Sequence, residues 1–575
     1  MSKFKVKLIL FLHYRFMRYI YSAFIMFSSI VVFSQWNANT IISTPVAIAD
    51  KGQDNVHSVT DTKGGVIVSW DDKRTFTVTA TDIYAQRIKK NGYEKWLTNG
   101  IAICTSSGTQ KSSSIISSGV DGSAIITWED NRMGNYDIYA QKVDSSGNVL
   151  WTTNGIAVCS KTTNQKNPKI SSDNAGGAII VWEDSLNNYW DISAQRISST
   201  GNLLWTSTGV SICNSPNTQN NPKIDIDGLG GAVIVWQDKR NNADYDIYAQ
   251  HIDNSGASLW SVNGVVVCNA INTQNNPRIE PDGANGALIG WTDKRNAIDN
   301  NIYAQRINST GAVQWTANGL LVCGATNNQS ALDMKYIGAS GLLLTWKDDR
   351  TTANFNEIYA QIVSLAGANQ LTSNGIVLSN GLKSINPNAI SDGLGGAIIA
   401  WQDSATLGWD IKTQSINSAG VTQWTNGGVT VCNASDDQVN VSQVTDGNGG
   451  AIYVWEDRRN TSNYDLYAHH LYSSGTPILI GINELANLNQ VQSFCYPNPI
   501  NTNSIIELKN NSSNDPWEIS IFDATGKLIK TANIKSNQTY PLNSSEYSAG
   551  IYFYIINIKN ESLYSKGSFI STNPN

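Results

Sequence analysis

Eight aspartates, Asp72, Asp130, Asp184, Asp238, Asp293, Asp348, Asp403 and Asp457, each stand two residues after a tryptophan. In six copies an arginine follows two residues later: Arg74, Arg132, Arg240, Arg295, Arg350 and Arg459. Each of these six also has a tyrosine further on, at Tyr84, Tyr139, Tyr248, Tyr303, Tyr359 and Tyr467. Carboxylate, guanidinium and phenol can hold substrates and move protons, but a set present in nearly every copy of a repeat serves the repeat. A guanidinium lying on the tyrosine ring and held by the carboxylate would brace a hairpin, at about 1 kcal/mol per copy. The functional alternative is a ring of polar groups around a channel. The two remaining copies lose both partners together, having Leu186 with Ser193 and Ala405 with Lys412, as a contacting pair should.

Those two copies gain Trp190 and Trp409, immediately before Asp191 and Asp410. Both are candidate ligand-binding residues, because an indole face offers a sugar rigid apolar area with a polar rim. The plainer reading is that each ring fills the space vacated by arginine and tyrosine. Histidine offers less. His469 and His470 are adjacent in a strand and point to opposite faces, so they cannot hold one metal together, and His57 and His251 complete no Ser/His/Asp or metal-ligand set. Six of the seven cysteines, Cys104, Cys159, Cys213, Cys268, Cys323 and Cys432, share one repeat position. Equivalent positions on packed sheets are about 10 Å apart, and a disulfide needs about 7 Å or less. They read as small core residues. No catalytic residue, metal ligand or cofactor is assigned.

The elements that must position these residues form an array. The tryptophans, Trp70, Trp128, Trp182, Trp236, Trp291, Trp346, Trp401 and Trp455, recur every 54 to 58 residues in the same surroundings, which marks a repeat architecture. The third copy divides into Asn167 to Asp173, Gly176 to Asp184, Asp191 to Ile197 and Gly209 to Cys213. These read as four short strands bounded by turn residues. The second is a continuous apolar run, Ala178 to Trp182, so both its faces should be buried. Asp-Gly-x-Gly-Gly, as at Asp227 to Gly231, supplies the tight turn before it. An antiparallel four-strand meander repeated around an axis is a propeller blade. Pro45 to Ala49 matches a fourth strand, while the repeats end after a third, Asp465 to His469. The N-terminal segment should therefore complete the last blade. The expected fold is all-β: an eight-bladed β-propeller over residues 35–480, a linker over 481–493 and a small β-sandwich over 494–575.

Five basic residues among the first eighteen precede an apolar run from Tyr19 to Phe33, and residues 1–34 read as a secretory signal peptide. Their removal takes away five positive charges and no negative ones, so the net charge of −6 becomes −11. Such a surface excludes nucleic acid as a partner and limits membrane contact to the export signal or surface attachment. The tail contains Tyr496-Pro497-Asn498-Pro499, an Asp523-x-x-Gly526 turn, Ser548-Ala-Gly550-Ile-Tyr552 and Lys566. In this order the motifs resemble the type A C-terminal sorting domain of the type IX secretion system. The resemblance implies the type IX machinery as a partner, and an extracellular or outer-surface location. Asp144-Ser-Ser-Gly147-Asn-Val-Leu-Trp151 resembles the tryptophan motif of pyrroloquinoline-quinone-type eight-bladed propellers, which implies eight blades. No vicinal cysteine pair accompanies it, so no quinone cofactor is expected. The leading functional expectation is a non-catalytic binding propeller for a glycan or surface protein. The alternatives are an exported polysaccharide-acting enzyme and a structural scaffold.

Overall fold

The computed structural model describes residues 36–477 and 492–573, apart from 38, 120–121, 187, 353–354, 381–382, 406–407, 461, 510–516, 524–526, 535–538 and 559–563. The signal-peptide segment 1–34 and most of the linker lie outside them. The chain divides into two units, Met1–Ile478 and Leu479–Asn575.

The first unit consists of eight four-stranded antiparallel sheets. In the third, the strands from axis to rim are Gln165–Ser172, Ala178–Leu186, Tyr189–Ile197 and Val210–Cys213. Each inner strand lies beside the next sheet's inner strand, and the last, Gln438–Thr445, lies beside the first, Gln53–Thr60. The sheets therefore close into a propeller ring. Sandwiching between neighbours is what buries both faces of the second strands: Val66–Asp72 is buried at every residue. The core lies between sheets. Trp236 of the fourth, for example, packs on Ile179, Val181, Ile192 and Ala194 of the third.

The eighth sheet is built from both ends of the unit, Thr44–Ala47 pairing with Asp465–Leu471 at Thr44↔Ala468 and Pro45↔Tyr467. Closure reaches further back than the strand reading placed it. Trp36 donates its indole N–H to the Lys90 carbonyl at 2.8 Å, as Trp260 of the fourth sheet does to Ser309 of the fifth at 2.9 Å. The hairpins between inner and second strands are held by their own aspartates: Asp227 Oδ1 accepts the N–H groups of Leu229 and Gly231 at 2.7 and 2.9 Å. A Cβ on Gly231 would sit 2.2 Å from the Ile252 carbonyl oxygen, so that position admits glycine only.

In the second unit a three-stranded and a four-stranded sheet enclose one core, with Ile506, Trp517, Ile519, Ile521, Tyr554 and Phe569 at its centre, a β-sandwich. Its first strand, Gln492–Tyr496, takes in Gln492 and Ser493, which the sequence reading had given to the linker; Gln492 pairs with Lys509. Among the described residues no helix is long and apolar enough to cross a membrane.

Candidate functional site

In all six copies with arginine, its guanidinium lies 3.7–3.9 Å from the tyrosine ring centre. The fourth copy shows how the set is held. Asp238 Oδ1 accepts from Arg240 N and Nε, both at 2.9 Å, and Oδ2 from Arg240 Nη2 at 2.6 Å and Trp236 Nε1 at 2.8 Å. Nη2 continues to the Asn263 carbonyl at 2.8 Å and Cys213 Sγ at 3.4 Å, tying the second-to-third hairpin to the outer strand. Burial pushes the Cys213 thiol up to about 11. All seven cysteines are free. The braces sit between sheets and do not line the axial cavity.

In the third and seventh copies lysines replace the guanidinium: Lys161 pairs with Asp184, and Lys412 with Asp403 at 2.7 Å. The indole N–H groups of Trp182 and Trp401, which their six counterparts give to the aspartate, are buried without a partner among the described residues. Trp190 and Trp409 do not fill the vacated space. Neighbouring strand residues face opposite ways, so Trp190 projects from the face opposite Asp191 and Ser193, toward the next sheet. The expectation of filling is corrected by that alternation.

Trp190 and Trp409 instead belong to a wider aromatic series. The residue before the first aspartate of the third strand is also aromatic at Tyr136, Tyr245 and Tyr464, and all five rings are half-buried. The carbonyls of Tyr136, Tyr245 and Tyr464 accept from the first N–H of the next inner strand, those of Gln165, Gln274 and Gln53, at 2.7 to 2.8 Å. The series therefore runs along the inner rim of the face that carries the second-to-third strand loops. Lys166 Nζ lies 5.1 Å from the Tyr136 ring centre and 5.9 Å from that of Trp190, and Lys111 Nζ lies 4.7 Å from Tyr136. Cations and rings alternate there across two sheets.

On the same face, aspartates oppose each other in register: Asp72↔Asp82, Asp130↔Asp137, Asp184↔Asp191, Asp238↔Asp246, Asp403↔Asp410 and Asp457↔Asp465. One member of each pair is neutralised by the brace or its lysine substitute. The other is pushed up by burial and by its facing carboxylate, to about 6 at Asp191, Asp246, Asp410 and Asp465. The fifth copy has Asn301 there.

At the axis, every inner strand bulges at its third residue, where φ lies between 49° and 56°: Asn55, Ser112, Asn167, Asn221, Asn276, Ala331, Asn386 and Asn440. Asn221 shows the reason for asparagine. Its N–H donates to Glu183 of the preceding sheet at 2.7 Å, and its side chain to Gln237 of its own at 2.8 Å. Two strands depart from asparagine at this position, with Ser112 and Ala331. A cavity of about 420 Å³ lies at the axis, lined by Ala331 and by amides, including Asn55, Asn388, Gln402 and Asn440, together with His57, Arg278, Asp333 and Glu456. Burial holds the His57 imidazole down at about 4, so it is neutral at pH 7. Two further histidines clamp hairpins. His251 and His470 stand where other copies have Arg87, Arg196 and Arg306, each 3.0 Å from its hairpin aspartate, Asp227 or Asp446. No group of three metal-ligating side chains occurs among the described residues.

No curated protein matches the chain. Solved structures similar to it include an ulvan lyase of a new polysaccharide lyase family (9% identity, TM-score 0.40, covering 76% of this chain and 98% of that one). A eukaryotic initiation factor is also similar (10%, TM-score 0.39, 76% and 89%), as is a protein of unknown function from Dyadobacter fermentans DSM 18053 (9%, TM-score 0.36, 65% and 97%). Such low scores bear on neither function nor site. Residues 495–569 match the secretion system C-terminal sorting domain; the chain thus ends in a type IX sorting domain and is exported through that system to the cell surface or the extracellular space.

Proposed function

We propose that the exported propeller is a non-catalytic binding module for a polysaccharide, held on the face that carries the second-to-third strand loops. The aromatic series carries this reading. Five half-buried rings, Tyr136, Trp190, Tyr245, Trp409 and Tyr464, occupy one repeat position along the inner rim, and the axial cavity within the ring is lined with amides. Stacking faces next to dense donors and acceptors match the alternating apolar and hydroxylated surfaces of a sugar. The repeated aspartates, by contrast, hold arginines and indoles, and His251 and His470 clamp hairpins.

The test is retention of the mature chain on immobilised bacterial, algal and plant polysaccharides, with new reducing ends assayed in parallel. The expected result is retention without new ends, weakened roughly tenfold by Trp190→Ala or Trp409→Ala, an aromatic contact of about 1.4 kcal/mol. New reducing ends would make the protein an enzyme, and retention on none of the polysaccharides would remove the saccharide reading.

A further inference from the structure

Three cations occupy the same place on consecutive inner strands: Lys169, Lys223 and Arg278, each the fifth residue of its strand. This concentration stands out in a chain of net negative charge. Among the described residues the two ammonium groups donate to neutral oxygens. Lys169 reaches the Pro168 carbonyl at 3.2 Å, and Lys223 reaches Asn221 Oδ1 at 2.5 Å and the Pro222 carbonyl at 3.3 Å. Arg278 donates to the Pro277 carbonyl at 3.4 Å and has Asp333 at 3.7 Å. Glu183 attracts both lysines and Glu129 attracts Lys169, but among the described residues neither carboxylate forms an ion pair with them, each being held by amide N–H groups instead. Glu129 accepts from the Asn167 N–H at 2.8 Å, and Glu183 from the Asn221 N–H at 2.7 Å and the Asn167 amide at 2.9 Å.

Burial, followed by repulsion from Arg278 and Lys169, holds Lys223 well below the ordinary lysine range, and burial lowers Lys169 as well. Like charges gathered at one half-buried strand position cost stability in the free protein. An anion seated among them removes that cost. Arg278 also lines the axial cavity, so one member of the cluster opens onto it.

We infer that the axial channel contains an anion subsite, formed by Lys169, Lys223 and Arg278, that receives a carboxylate or sulfate group of the ligand. In naming an acidic saccharide, the inference rests on the function proposed above; in naming an anion, it stands alone. Sugar rings would remain at the aromatic rim while the charged substituent enters the channel.

The test has two arms, both on the mature full-length chain. In the first, thermal unfolding is followed in millimolar sodium sulfate against sodium chloride at equal ionic strength. Sulfate is expected to raise Tm saturably. Lys223→Met should raise Tm in chloride, by removing the repulsion, and abolish the sulfate response, whereas Lys223→Arg should retain it. A sulfate response that survives in both Lys169→Met and Lys223→Met overturns the inference. In the second arm, retention is compared on alginate for carboxylate, carrageenan for sulfate and laminarin as the neutral control. At least tenfold preference for one acidic polymer, lost in Lys223→Met, supports the inference and identifies the group. Equal retention on laminarin with no effect of the variant overturns it and leaves the saccharide reading standing. A sulfate response with no retention on any polymer upholds the anion subsite and overturns the saccharide reading.

Discussion

Replacing Asp246 with asparagine should stabilise the protein at neutral pH and lose most of that effect in acid. Asp246 faces Asp238 across the strand pair, is only 4% exposed, and has its carboxyl pushed up to about 6 by burial, Asp244 and Asp238. Its ordinary value is 3.8. A folded-state value above the unfolded one contributes stability that is complete below about pH 4 and disappears as pH rises through about 6. At pH 7.5 the ionised form therefore carries a penalty, at most about 3 kcal/mol for a shift of roughly two units. Arg240 is already included in that shift; screening by water near the loop face reduces the penalty, so about 1 kcal/mol is the expected gain on substitution. Asparagine keeps an oxygen to accept from Asn241 Nδ2, now at 3.1 Å, and Asn301 already occupies this place opposite Asp293. Urea unfolding at pH 7.5 and 4.5 is the assay. The variant's midpoint should rise at pH 7.5, with the gain falling by about two-thirds at pH 4.5. A gain equal at both values, or a loss at pH 7.5, would refute the electrostatic reasoning.

Removing residues 36–47 opens the eighth sheet and exposes surface now covered by Trp36, Val46 and Ala47, all under 8% exposed. A loss of about 5 kcal/mol is expected in urea unfolding, and unchanged stability would disprove closure by this segment. Gly231→Ala puts a methyl group against the Ile252 carbonyl and should cost about 2 kcal/mol or more, with Leu229→Ala, at an exposed neighbouring position, near neutral. Lys161→Met leaves the buried Asp184 with the Ser193 hydroxyl and the Gln165 amide but no cation; about 2 kcal/mol should be lost in urea unfolding at pH 7, and Lys161→Arg, which keeps the cation, should lose much less.

The repeat, the glycine hairpins, the complementary chain ends and the tail could all be read from residues alone, because each depends on local spacing. The arginine-on-tyrosine contact was legible for a related reason: its members vanish together in two copies. The carboxylate pairs were not, since Asp238 and Asp246 come face to face only once strand register is known. Misplacing Trp190 and Trp409 had a simpler origin, in treating them as additions to the brace when strand alternation turns them away from it. The axial site eluded the sequence reading for a physical reason too. Its lining comes from inner-strand residues of several sheets, among them His57, Arg278 and Asp333, which share a strand position but no residue type and so leave no recurrence in the sequence. Trp36 lies before the first full repeat and outside the tryptophan spacing, yet it makes the bond to Lys90 expected of the eighth copy.

Pairing Thr44 with Ala468 also sets an order of events. Every other outer strand joins a neighbour a few tens of residues away, whereas this contact spans roughly 420 residues and carries about 3 kcal/mol more loop-closure entropy than a local hairpin. Seven sheets can form as the chain emerges; the eighth must wait for both ends. The latch is therefore expected to close last and, because so little chain is committed to it, to open first. Amide exchange at Thr44–Ala47 should outpace that of the other outer strands, making this seam the kinetic weak point of an otherwise uniform ring.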